Sequence, residues 1–125
     1  MPLIFMHHPP FKTGIAMMDK IGLAGSEDLA QLVRQYPCIE RVSCGHIHRT
    51  IYRRWAGTIA STQPSLVHQV VLNLQPEAIG TFAMEPPAYQ LHIWDDNDLT
   101  SHTVYVDHFE GPYRFPDGQR IELCL

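Results

Sequence analysis

At 125 residues with 45% hydrophobic side chains, the chain can bury one ordinary core but not two, so a single folded domain over residues 1–125 is expected. Nine Lys and Arg stand against 13 Asp and Glu, a formal charge of -4 with no basic stripe, which argues against a nucleic-acid partner held by counterion release. No apolar run approaches the roughly 20 residues that span a bilayer, and residues 1–6 lack the charged start and long apolar core of a secretion signal; the expectation is a cytoplasmic chain without a membrane partner.

The chain opens on Leu3, Ile4, Phe5 and Met6, a short apolar run stopped by Pro9 and Pro10, which fits a buried strand. A core strand this close to the first residue leaves no frayed start and points to further sequence before it. Residues 11–25 hold three glycines without periodicity and are expected to form a mobile loop. Ser26 can cap a helix whose first turn carries Glu27 and Asp28, favourable at the positive end of the helix dipole. Leu29, Leu32, Val33 and Tyr36 make one apolar stripe meant for a sheet, and Pro37 ends it.

Residues 38–44 read as a second buried strand. Strand, loop, helix, strand is a crossover unit, which makes the two strands parallel neighbours with their C-terminal ends on one edge. Short strands follow at residues 50–55, 58–61 and 66–74, with a turn at Ala56 and Gly57. After Glu85, Pro86 and Pro87 come strands at 89–94 and 99–106, joined by the turn residues Asp95, Asp96, Asn97 and Asp98. The second half is therefore expected to be mostly antiparallel sheet in an α/β fold.

Cys38, Cys44 and Cys124 show no C-x-x-C spacing. The first two fall about 20 Å apart on one extended segment at roughly 3.3 Å per residue, beyond disulfide reach, so buried thiols are expected. Eight histidines point instead to metal or acid-base chemistry. His46 and His48 form an H-x-H pair just past a strand, which on extended backbone puts both imidazoles on one face, and Gly45 lets the chain approach an ion closely. His7 and His8 lie at the end of the neighbouring strand, on the edge where ligands collect in open α/β sheets. His68, His92, His102 and His108 read as surface or hydrogen-bonded side chains, with His68 the strongest functional candidate among them. Trp55, Trp94 and Tyr105 read as ordinary sheet residues, and Arg53 and Arg54 as a solvated edge strand.

The blocks M-H-H-P-P-F and C-G-H-I-H resemble two signature blocks of the calcineurin-like metallophosphoesterases. The likeness is nearest to the branch of class III cyclic nucleotide phosphodiesterases and bacterial glycerophosphodiesterases, and T-G-I-A-M-M-D and E-P-P-A-Y-Q-L-H-I-W fit that branch too. The resemblance implies the C-terminal half of a four-layer α/β/β/α sandwich. It further implies phosphodiester hydrolysis at a dinuclear centre of manganese, iron or zinc, where a bridging hydroxide attacks phosphorus and both ions polarise its oxygens. Carried over by position, His7 and His46 would bind one ion and His48 the other, while His8 and His68 would lie beside the ligands or face substrate.

The family's blocks D-x-H, G-D and G-N-H-E are absent from the sequence, and Asp95, Asp96 and Asp98 read as solvated turn residues. Three neutral imidazoles do not offset two divalent ions. The expectation is an incomplete dinuclear site, no catalytic residue beyond the metal ligands, and little hydrolysis by the chain alone. A small phosphodiester substrate is implied, with either a homo-oligomer or a complementing N-terminal half covering the open sheet edge. The alternatives are a catalytically incompetent assembly module and a mononuclear metal-binding protein that uses the same three histidines.

Overall fold

The structure is a computed structural model, and it describes residues 2–96 and 98–122. In chain order the elements are β1 (Leu3–Met6), α1 (Ala16–Lys20), α2 (Ser26–Arg34), β2 (Arg41–Cys44), β3 (Ile51–Trp55), β4 (Thr58–Thr62), β5 (Gln69–Val70), β6 (Phe82–Ala83), β7 (Ala88–Asp95) and β8 (Asp98–Tyr105). A four-stranded sheet runs in the order β1-β2-β4-β3. β2 pairs in parallel with β1 and with β4, while β3 and β4 form an antiparallel hairpin. The pairs β5-β6 and β7-β8 are also antiparallel, so the fold is mixed α/β with mostly antiparallel pairing after β2.

All four residues of β2 are buried, as flanking by two strands requires. Val42, Cys44 and Ala60 form one core cluster, packed by Ile4, Met6, Phe11, Ile39 and Trp55. Burial pushes the Cys44 thiol up to about 11, so it stays protonated at neutral pH and behaves as a small apolar side chain. Ile15, Ile47 and Val70 form a second cluster with Met18 and Ile51, and this one lies under the histidine loop.

Several expectations are corrected. Residues 11–25 are not one open loop. They contain α1, and the Asp19 carboxylate accepts hydrogen bonds from Thr13 N at 2.7 Å, Thr13 Oγ1 at 2.8 Å and Gly14 N at 3.0 Å. These local bonds satisfy backbone that the glycines would otherwise leave free. Ser26 is the first helical residue and not the cap; Gly25, at φ +74, takes the cap position with no side-chain bond. The buried line of α2 runs through Ala30 and Val33, whereas Leu32 and Tyr36 are 50% and 53% exposed. The inward face therefore lies beside the predicted stripe, with a small alanine at its centre.

The second strand begins only at Arg41, because residues 36–39 turn back with Ile39 N donating to Tyr36 O at 3.0 Å. Cys38 is consequently exposed and only Cys44 is a buried thiol, while Cys124 lies outside the described residues. The long strand expected at 66–74 shrinks to Gln69–Val70, and its partner Phe82–Ala83 is too short to carry a period. The turn at Ala56 and Gly57 has both residues at positive φ, the conformation a tight hairpin needs. Asp95 and Asp98 close the β7-β8 hairpin as exposed turn residues, and Asn97 lies outside the described residues. Trp55 packs into the core; Trp94 and Tyr105 stay about half exposed. Among the described residues no helix is long and apolar enough to cross a membrane.

Candidate metal centre

The register places the histidines. Met6 pairs with Cys44, so β1 and β2 end at one level, and Gly45 N donates to Met6 O at 3.1 Å. The chains leaving those two strand ends carry His7-His8 and His46. A β-carbon on Gly45 would lie 3.5 Å from His7 Nδ1, so a side chain longer than alanine's would reach the imidazole.

His7, His8 and His46 offer one nitrogen each, all within 4.8 Å of one another. Ring centroids are 4.8 Å apart for His7 and His8, 5.0 Å for His7 and His46, and 4.3 Å for His8 and His46. An ion held tetrahedrally at about 2.0 to 2.1 Å needs donors about 3.3 Å apart, so small ring rotations bring these three onto one ion. His8, expected beside the ligands, lies in one cluster with His7 and His46. Among the described residues no carboxylate or thiol joins it.

His48 points elsewhere. Extended backbone would put it on the face of His46, but His46 has φ 67 and His48 has φ 48, both left-handed. The chain coils through Ile47, which is 1% exposed and whose amide donates to Gly45 O at 2.8 Å. The His48 ring lies 4.8 Å from that of His68, and His68 lies 4.8 Å from Phe82. Left-handed backbone at a non-glycine residue costs about 1 to 3 kcal/mol, and such strain persists only where its surroundings impose it. Here the burial of Ile47 between Ile15 and Val70 does so.

The donor chemistry fits a metal. His46 Nε2 and His48 Nδ1 are buried with no hydrogen-bond partner, a costly state for an imidazole nitrogen unless something binds it. Burial, with the neighbouring His8, His7 and His48, holds His46 below the usual histidine range and so in the neutral form that ligates. His92 is also held low, first by burial and then by Arg41, and its Nδ1 lies 2.7 Å from Ser101 Oγ. His102 and His108 are exposed.

These two depressed histidines give stability a definite pH dependence in the metal-free chain. Both are neutral in the folded protein at pH values where the unfolded chain, near the ordinary histidine value of 6.5, already takes up protons. Stability is therefore level above that value and falls as the pH drops through the lower folded values. Denaturant midpoints measured from about pH 8 to about pH 5 should show this decline, and His92→Gln should make it shallower by removing one of the two contributions.

Sequence reasoning missed the supports of the site: Ile15, Arg49 and Glu85. Arg49 follows His48 directly but carries no ligand signal, and Ile15 and Glu85 stand at no spacing from the histidines that would have found them.

The sheet, its paired strand ends and the histidine group define an α/β protein with a histidine cluster that could hold a metal ion. No family model matches the chain. Comparison with curated proteins nonetheless shows that the chain is a homologue of phosphodiesterases of the metallophosphoesterase family, in the branch of the glycerophosphodiester and class III cyclic nucleotide enzymes. It is 46% identical over 115 residues to a probable glycerophosphodiester phosphodiesterase GpdQ of Arcobacter nitrofigilis, covering 90% of this chain and 42% of the relative. It is 30% identical over 127 residues to the glycerophosphodiester phosphodiesterase GpdQ of Enterobacter lignolyticus, covering 97% and 45%. The 3',5'-cyclic adenosine monophosphate phosphodiesterase CpdA of Escherichia coli K12 is 26% identical over 99 residues, covering 79% and 35%. The chain spans less than half the length of these relatives.

Proposed function

We propose that the chain supplies the histidine side of a divalent-metal centre that hydrolyses small phosphodiesters, of the glycerophosphodiester or cyclic nucleotide class. The observation that carries this reading is the convergence of His7, His8 and His46 from two parallel strand ends, with buried, unpartnered nitrogen on His46. Manganese, iron or zinc would supply Lewis acidity toward a phosphoryl oxygen and a nucleophile at neutral pH. The chain's own part is to hold neutral imidazoles in place. His48 and His68, a second pair beside the first group, are suited to another ion or to the substrate's phosphoryl oxygens.

The anionic ligands of a dinuclear centre would come from outside these residues, since the histidine group includes no carboxylate. In this reading the sheet is half of a four-layer sandwich, completed by a complementing segment or by a second copy. β1 favours such completion: it is an edge strand with an unpaired side, and Phe5 on it is 67% exposed. The outer face of the β7-β8 hairpin, with Tyr89, Leu91 and Ile93 about half exposed, is a second apolar surface suited to a copy of the chain. The placing of His48 beside His68, outside the group of His7, His8 and His46, favours a second reading, a mononuclear site with water completing the shell.

Metal content per chain after loading with manganese, together with hydrolysis of bis(p-nitrophenyl) phosphate, tests the proposal. One ion per chain, lost in His46→Ala, with turnover at background is the result expected of a site completed from outside. Two ions with chelator-sensitive turnover would mean that this chain completes the centre itself. No ion at any manganese concentration, wild type matching His46→Ala, would sink the metal reading.

A further inference from the structure

The loop that carries His46 and His48 is strained, and the burial of Ile47 restrains it from beneath only. We propose that Arg49 and Glu85 form a positioning brace that holds the His46-Ile47-His48 loop in its left-handed path, an inference that rests on the metal reading above.

Arg49 follows His48 directly. Its Nε donates to Val70 O at 2.8 Å, and its terminal nitrogen donates to both carboxylate oxygens of Glu85, at 2.6 and 2.8 Å. The Thr62 hydroxyl, on a fully buried residue of β4, donates to the Arg49 carbonyl. The residue after His48 is thereby fixed at its backbone by the central sheet and at its side chain by β5 and by the segment entering β7.

Val70 serves both restraints: its side chain packs on Ile47 while its carbonyl receives the guanidinium. Glu85 sits 36 residues from Arg49 in sequence, so the bridge closes a long loop back onto the site. A guanidinium suits this place because its planar fork reaches the Val70 carbonyl and the carboxylate together in a fixed geometry. A lysine ammonium at the same position could keep the charge but not both directions. The Arg49 side chain is largely covered, which limits the competition from water for these bonds. Among the described residues no hydrogen bond joins either of them to a histidine, so the brace acts through backbone geometry.

The test uses the metal-free chain first. Amide exchange of Ile47 and the nuclear Overhauser contact between the His48 and His68 rings report the loop directly, and zinc titration then reports its consequence. Glu85→Gln and Arg49→Lys are each expected to speed Ile47 exchange at least tenfold, weaken the ring contact and lower zinc affinity at least tenfold. Tyr52→Phe, which removes a hydrogen bond from Gln90 on the far hairpin, should leave all three unchanged. If a variant unfolds, Glu85→Asp, which keeps the charge on a shorter arm, provides the comparison. Loop exchange and ring contact equal to wild type in the folded variants would overturn the brace. A wild-type chain that binds no zinc would overturn the metal reading instead, and the exchange data would still decide the brace.

Discussion

Replacing His46 by alanine is expected to lower zinc or manganese affinity by more than about 100-fold, since loss of a mere outer partner of a ligand already costs about 10- to 100-fold. The His46 ring lies 5.0 Å from that of His7 and 4.3 Å from that of His8, and its Nε2 is buried without a partner. Calorimetric titration of single alanine variants also separates the two ligand arrangements. If His7, His8 and His46 hold one ion, His8→Ala should match His7→Ala and His48→Ala should matter little. If His48 serves a second ion, as position in the family blocks implies, His48→Ala should remove one ion from the stoichiometry and His8→Ala should be nearly silent. Unchanged affinity in His46→Ala would discard both arrangements.

The second large effect concerns a residue with no metal chemistry of its own. Ile47→Ala is expected to destabilise the chain by about 2 to 5 kcal/mol, the usual cost of emptying a fully buried isoleucine site. Ile47 is the largest fully buried side chain among the described residues, clasped by Ile15 and Val70, and it holds two left-handed residues in place. Denaturant unfolding gives the magnitude. Ile47→Val, which keeps the β-branch and loses one methylene, should cost only about 0.5 to 1.5 kcal/mol. A loss below about 1 kcal/mol in the alanine variant would mean that the loop relaxes and the anchor is weak. Metal affinity should fall with Ile47→Ala as well, because the relaxed backbone no longer aims the imidazoles.

How much was legible follows from how local each signal is. The run Leu3 to Met6, the helix signals around residue 27, the Ala56-Gly57 turn and the β7-β8 hairpin are written in adjacent residues, and the structure contains each within a few positions. The helix cap and its inward face were misread because Gly25 and Ala30 carry no apolar signal of their own. Strands of two residues, such as Gln69–Val70 and Phe82–Ala83, exist only through each other and cannot announce themselves locally.

The sequence by itself determined the parallel pairing of β1 with β2 and the meeting of two histidine blocks at one edge, because a crossover unit admits few topologies. It determined the family relationship too, through blocks whose residues stand together in the chain. Only the tertiary structure decided which histidines face one another. The turn of the chain through His46 and His48 depends on left-handed backbone, which distant contacts impose against local preference. His8 consequently joins His46, His48 turns to His68, and the restraint comes from Ile15, Val70 and the Arg49–Glu85 bridge. These partners are joined by packing and by hydrogen bonds across long stretches of chain, and such distances leave no period in a sequence.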